Sequence, residues 1–301
     1  MNKDTAKSYT ALTSSMLIFG TLGIFRRYIP LSSAMLAFVR GLLGSAFLLI
    51  LVFVRGGKLQ KLKSRTVFLL AVTGALMGFN WMLLFEAYNY TSVAVATMCY
   101  YMQPTIVILL SPFVFREKLT FKKLLCAVAA IIGMVFVSGI LNGNGIKTRD
   151  IKGILFGLGA AALYSAVVIL NKKVVVKDVY EKSIIQLAAA AIILIPYLLL
   201  TEDITKTTLN GTAVCMVILV GIVHTGIAYA LYFGSMKNLK AQSIAVMSYI
   251  DPVFALLLSA VILHEGLTVY GAIGAILIIG SAFVSEITRN QALSSYRFNI
   301  I

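Results

Sequence analysis

Ten apolar runs, each about long enough to cross a lipid bilayer, follow one another along the chain with only short polar links between them. They cover roughly residues 9–28, 32–54, 66–88, 92–114, 120–140, 152–172, 183–200, 211–234, 241–263 and 268–287. Inside hydrocarbon no water completes the hydrogen bonds of the backbone, so such a segment must satisfy its own N–H and C=O groups as an α-helix. The sequence therefore predicts an all-α membrane protein of ten transmembrane helices. The content of charge agrees: 12% of the residues are charged, about half the share in a soluble domain, and 60% are hydrophobic.

The net charge of +15 is a matter of loops and does not call for nucleic acid as a partner. With the N-terminus inside, one set of links carries Lys3, Lys7, Arg55, Lys58, Lys61, Lys63, Arg65, Arg116, Lys118, Lys122, Lys123, Lys172, Lys173, Lys177, Lys182, Lys237, Lys240, Arg289 and Arg297. The other set carries only Arg26, Arg27, Lys147, Arg149, Lys152 and Lys206, and Arg40 alone falls within a span. Lysine and arginine stay on the cytoplasmic side of short loops, so this bias predicts a multi-pass protein of a bacterial plasma membrane with both termini in the cytoplasm. Lys3 and Lys7 before the first apolar run imitate a signal peptide. Arg26-Arg27 follows that run with no small-residue cleavage site, so the run reads as a retained first span. Cys99, Cys126 and Cys215 lie in apolar runs without metal-ligand spacing, and neither a metal nor a cofactor is expected.

The chain also repeats itself. Shifted by 148 residues, Phe85 falls on Phe233, Tyr101 on Tyr249, Pro104 on Pro252, and Leu109-Leu110-Ser111 on Leu257-Leu258-Ser259. Glu117, Leu119 and Thr120 fall on Glu265, Leu267 and Thr268, giving nine identities in 36 ungapped positions. At an offset of 146, the earlier helices place Arg26-Arg27 over Lys172-Lys173 and Arg40 over Gln186. Five spans per half is an odd number, so the second half crosses in the opposite sense and the repeats are inverted. The expected units are residues 1–145, residues 146–290 and a cytoplasmic tail, 291–301. Thr120 and Thr268 are placed to cap the fifth helix of each half, and Glu117 and Glu265 to favour the positive ends of those helices. Gly74 with Gly78, and Gly153 with Gly157, allow close helix contact.

The repeated block, Phe85 then Tyr101-x-x-Pro104 then Glu117-x-Leu119-Thr120, resembles the drug/metabolite transporter superfamily in its ten-helix EamA-type branch. The setting Phe38-Val39-Arg40-Gly41 resembles it as well. The resemblance implies a ten-helix bundle with a central cavity lined chiefly by spans 1, 3, 4, 6, 8 and 9. It leaves the substrate open among amino acids, other metabolites, amines and drugs.

An ionisable side chain at mid-span costs roughly 2.5–3.5 kcal/mol on insertion scales, so each is a functional candidate. Asp251 lies mid-way along span 9 before Pro252, and its repeat mate is Gln103 before Pro104. It serves as a contact for a substrate amine or as a titrating coupling group, or it pairs with Arg40. At about 1.5 Å per residue, Arg40 lies roughly 12 Å below the outer surface and Asp251 roughly 18 Å, within reach of a long side chain. Arg40 alternatively clamps a carboxylate or snorkels structurally, since its helix is not expected to be central. Glu86, near the outer end of span 3, is a candidate gate. His224 is mid-way along span 8, where it either titrates or packs. Asn80, Trp81, Tyr101, Gln103, Tyr164, Tyr229 and Tyr249 complete the expected binding set, aromatic faces being attractive to organic cations.

Three functions fit these residues. The first is a secondary transporter that moves a small polar metabolite such as an amino acid or amine by alternating access, with or without proton coupling through Asp251 or Glu86. The chain has no G-x-x-x-x-G-K-[ST] loop for ATP. The second is an efflux pump for lipophilic cations, which the resemblance disfavours, since small multidrug pumps of that superfamily use a Glu in the first helix and span 1 here carries no acid. The third, an intramembrane enzyme, lacks a nucleophile–base pair, with only His224 and His264 in the chain. The expected partners are a small-molecule substrate and the bilayer, the protein being a monomer or a homodimer.

Overall fold

A computed structural model describes residues 3–60, 62–115, 119–138, 148–171, 174, 176, 178–202, 210–235, 238–239, 243–244, 247–266 and 268–298, with side chains as far as Ser285. Glu117 and part of the start of the ninth run lie outside the described residues.

Among the described residues the chain is helical and has no strand. The helices are α1 (Lys3–Tyr28), α2 (Ser33–Val54), α3 (Ser64–Tyr90), α4 (Val93–Tyr100), α5 (Gln103–Phe115), α6 (Phe121–Val137), α7 (Thr148–Asn171) and α8 (Val179–Thr201). They continue with α9 (Gly211–Leu219), a π-helical segment (Val220–Ile227), α10 (Ala228–Ser235), α11 (Ile250–Ile262) and α12 (Val269–Phe298). Seven stretches are long and apolar enough to cross a membrane: Asp4–Tyr28, Ser33–Val54, Ser64–Tyr90, Val93–Val114, Thr148–Asn171, Val179–Thr201 and Gly211–Ser235. Ile250–Ile262 and Val269–Ser285 are shorter apolar helices.

Local chemistry sets where these helices begin. Ser32 accepts a hydrogen bond from the Met35 N–H, Ser92 from Val95, Asp178 from Tyr180 and Asn210 from Ala213, each satisfying a donor that the helix leaves free. Thr120 and Thr268 behave as expected, accepting from the Lys123 and Gly271 N–H groups. Large apolar side chains point outward on many helices, among them Phe113, Leu200 and Ile276. A bilayer accepts such a surface and water does not.

Two of the long stretches are not simple helices. The fourth apolar run breaks at Tyr101-Met102, where α5 starts with Gln103 and Pro104. A proline has no N–H to donate, so a carbonyl one turn earlier loses its partner and the helical ladder is interrupted there. The eighth run winds into the π segment, where the Thr225 hydroxyl donates to the Val220 carbonyl at 3.3 Å. Its hydrophobic pattern carries no sign of this irregularity.

The core is built between the two halves of the sequence. From the first half, α3 packs on α7 and α8, α2 on α8 and on the π segment, α1 on α10 and α11, and α6 on α12. Phe85, Leu36, Leu48, Leu187 and Leu194 are fully buried in the largest apolar cluster. Gly74 and Gly78 lie where α3 meets α8: a Cβ on Gly74 would stand 2.3 Å from the Gln186 carbonyl oxygen. Gly74→Ala is therefore expected to destabilise the protein by about 1–3 kcal/mol through overpacking. A lower midpoint of thermal unfolding in detergent would register this, and an unchanged midpoint would contradict the contact.

Candidate functional site

α1 ends, α2 begins, α3 ends and α4 begins at one end of the bundle, which we call the Arg27 end. The opposite end carries the start of α8 with Lys182. Between the halves lies a cavity of about 660 Å³, a size suited to a small-molecule ligand. Its walls include Arg40, Trp81, Tyr100, Tyr101 and Gln103 from the first half and Tyr164, Tyr229, Tyr232, Tyr249 and Asp251 from the second. Toward the Lys182 end the lining continues through Asn171, Lys182, Gln186 and Ser285. Toward the Arg27 end it stops at Leu84, Tyr88 and Thr97.

Of the expected residues, Arg40, Trp81, Tyr101, Gln103, Tyr164, Tyr229, Tyr249 and Asp251 line this cavity, whereas Asn80, Glu86 and His224 do not. The geometry of α3 explains two of the exceptions. Met77, Trp81, Leu84 and Tyr88 form one stripe facing the cavity, at the spacing of a helical face. Asn80 and Glu86 point elsewhere. The fully buried Asn80 donates from Nδ2 to the Ala160 carbonyl at 2.6 Å, joining α3 to α7. Glu86 accepts from the Ser33 hydroxyl at 2.6 Å and from Asn89 Nδ2 at 3.0 Å, bracing α2 against α3. His224 sits behind the cavity wall. The Thr21 hydroxyl lies 2.7 Å from the Ile18 carbonyl oxygen and shares a 2.8 Å hydrogen bond with His224 Nε2, which ties the π segment to α1. The Phe25 ring packs edge-on against the imidazole, 4.8 Å away.

Arg40 departs from the expectation in the opposite direction. α2 was expected off-centre, yet Arg40 reaches the cavity with its guanidinium carbon 4.2 Å above the Trp81 ring centroid. Its Nε donates to the Thr225 hydroxyl at 2.8 Å. The side chain is thus clamped on one edge by a π-helical turn and on one face by an aromatic ring, which orients the rest of the fork. No ion pair between Arg40 and Asp251 occurs among the described residues. Asp251 Oδ2 instead accepts from the Tyr101 hydroxyl at 2.7 Å. The cavity wall thus carries an arginine and an aspartate that make no direct contact with each other.

Among the wall residues that the sequence does not single out are Tyr100, Tyr232 and Gln186. On an unbroken helix Tyr100 and Tyr101 would point about 100° apart. The chain leaves the helix at Tyr101, so both line the cavity. Gln186 occupies the position that the repeat equates with Arg40, which was a usable signal. It donates to the Thr73 hydroxyl at 2.7 Å and to Asn171 Oδ1 at 2.9 Å. Glu265 was expected to favour the start of its own helix, α12. It lies instead at the N-terminus of α4, accepting from the Val93 N–H at 2.8 Å, from the Ser259 hydroxyl and from Arg27 at 2.7 Å. Among the described residues no three His, Cys, Asp or Glu side chains gather at metal-ligand spacing.

Residues 6–139 and 151–286 each match the model of the EamA-like transporter family. The chain is 29% identical over 289 residues to the "Uncharacterized transporter YxxF" of Bacillus subtilis, covering 96% of this chain and 92% of that protein. It is 28% identical over 187 residues to a "Probable amino-acid metabolite efflux pump" of Salmonella typhimurium, covering 58% of this chain and 61% of that one. A protein of known crystal structure, 22% identical, superposes with a TM-score of 0.64 over 96% of this chain and 98% of its own.

Proposed function

The chain belongs to the EamA-like transporter family, and from that premise we propose that it is a secondary transporter that exports a small metabolite carrying both a carboxylate and an amine. The observation that carries this reading is the cavity holding Arg40 from one half and Asp251 from the other without an ion pair between them. A guanidinium clamped along one edge presents parallel donors to a carboxylate. Across the cavity, Asp251 among tyrosine rings suits an ammonium group, by charge and by the attraction of aromatic faces for cations. A solute carrying only positive charge would meet Arg40 as well as Asp251, which counts against a pump for lipophilic cations. The name of the Salmonella relative is consistent with amino-acid-like cargo and with export.

The proposed architecture is ten spans in two inverted five-helix repeats, residues 1–145 and 146–290. The mutual packing of α3 on α8 and of the π segment on α2 supports it, since these contacts exchange under the repeat. The charge bias puts the Lys182 end and both termini in the cytoplasm. The cavity then faces inward, and rocking of the halves about it would present the site to the other side. Asp251 would hold either the substrate ammonium or a proton, so that loading one releases the other and export draws on the proton gradient.

Proteoliposomes holding the purified protein and a panel of labelled amino acids, their desamino acids and their decarboxylated amines provide the test. Counterflow is expected for solutes with both groups, and weakly or not at all for the single-group analogues. Equal transport of all three classes would defeat the two-point reading.

A further inference from the structure

We propose that Arg27 and Glu265 form a latch that holds the Arg27 end of the cavity shut, opens when the site is presented to that side, and sets the resting balance between the two orientations. This rests on the transporter reading above, but it concerns residues outside the cavity.

The latch joins the two halves of the chain. Arg27, in the last turn of α1, reaches Glu265 Oε1 at 2.7 Å and the Thr91 carbonyl at 3.0 Å. Glu265, in the link between α11 and α12, accepts through its other oxygen from the Val93 N–H at 2.8 Å and from the Ser259 hydroxyl. One carboxylate thus ties α1, the first turn of α4 and α11 together. It also lies at the positive end of α4, where a negative charge is favoured. The backbone is bent to allow this. His264, just before Glu265, has a φ of 52°, a left-handed conformation uncommon for a residue with a side chain. Such a conformation persists where surrounding contacts fix it, and here the Glu265 N–H also returns to the Ser259 carbonyl at 3.2 Å.

The latch stands directly above a seal. Gly23 lies one turn before Arg27 on the same face of α1, and a Cβ there would fall 2.5 Å from Val93 Cγ1. The helices α1 and α4 therefore touch at Gly23 and Val93, and the latch clasps the same two helices immediately beyond. Gly23 and Thr97 line the cavity below this contact, while Arg27 and Glu265 do not. The neighbouring Arg26–Ser33–Glu86–Asn89 side chains brace α1, α2 and α3, and Arg149 of the second half donates to the Asn89 carbonyl at 2.7 Å. Rocking the halves apart at this end carries Glu265, on the second half, away from α1 and α4 on the first, and that cannot happen without parting it from Arg27 and from Val93. The pair is partly exposed, with side chains 33% and 17% accessible. Its net strength is therefore modest and within reach of reversible opening.

The test reads accessibility and not transport. In a background where Cys99, Cys126 and Cys215 are replaced, Thr97→Cys reports the cavity just below the seal. A membrane-impermeant thiol reagent is applied to sealed right-side-out and inside-out vesicles. Glu265→Gln is expected to speed labelling from the Arg27 side by up to roughly fivefold and to slow it only slightly from the Lys182 side, the effect of removing one modest ion pair from an equilibrium that rests with the Arg27 end shut. Ser259→Ala removes a single donor, leaves both charges, and is expected to move labelling the same way by a smaller factor. It serves as the reporter if the charge variant does not fold. Unchanged rates, or rates raised alike from both sides, would overturn the latch. Labelling confined to one side in every variant would mean that the protein does not alternate at all, and the transporter reading would fall instead.

Discussion

Replacing Arg40 with methionine is expected to abolish transport, lowering the initial rate on the order of a hundredfold or more, while leaving the thermal midpoint of the empty protein unchanged or raised. The two signs together identify a binding residue. Arg40 is 4% exposed and forms no ion pair among the described residues. A buried charge without an opposite partner is a cost to the fold, offset here by the Thr225 hydrogen bond and the Trp81 ring face. An unbranched apolar side chain of similar reach removes that cost and keeps the volume filled. A substrate carboxylate, by contrast, would lose its charged partner in a partly dehydrated site, worth about 2–5 kcal/mol when one member of such a pair is deleted. Arg40→Lys keeps the charge and loses the fork, so an intermediate loss is expected. The measurements are counterflow in proteoliposomes and unfolding in detergent. A variant that transports normally, or one that unfolds markedly earlier, would return Arg40 to a structural role.

That Arg40 faces the cavity was only half legible in the sequence. A charge at mid-span marks a candidate, and the repeat set Arg40 over Gln186, but which way α2 turns is decided by what packs behind it. The π segment swings Thr225 toward Arg40 Nε, and a change of helical pitch leaves no mark on a hydrophobic pattern. The cavity stripe on α3 was legible in principle. Once Trp81 is taken as inward-facing, the 3.6-residue turn directs Asn80 and Glu86 away, and both indeed bond to neighbouring helices. The same rule does not carry across Tyr100 and Tyr101, because it holds only while the helix continues, and the helix breaks at Tyr101-Met102 just before Pro104. Glu265 shows the limit most clearly. Sequence places a carboxylate beside the start of its own helix, but only the folded chain brings the start of α4 closer. The helical class, by contrast, follows directly from the apolar runs and the needs of a backbone in hydrocarbon.

The repeat also isolates the second residue on which the mechanism depends. Both halves keep the Tyr-x-x-Pro frame at Tyr101 and Tyr249, but the first carries Gln103 where the second carries Asp251. Asp251→Asn makes that position neutral in both halves while keeping the shape and an acceptor for the Tyr101 hydroxyl, now 2.7 Å from Asp251. The expected result has two parts. Accumulation driven by a proton gradient falls to background, because an amide exchanges no proton in the relevant range. Exchange without a gradient persists, but its apparent affinity for amine-bearing solutes drops roughly tenfold to a hundredfold, about 1.4–2.8 kcal/mol for the loss of a charge-assisted contact. A desamino analogue, which has no ammonium to place against Asp251, is expected to exchange with the same weak affinity in the parent and the variant. Transport assays at matched substrate concentration, with and without an imposed pH difference, separate these parts. If the variant still accumulated substrate against a gradient, the proton would have to pass through another group. If amine-bearing and desamino solutes lost affinity equally, Asp251 would be shaping the cavity through Tyr101 and not contacting the ammonium.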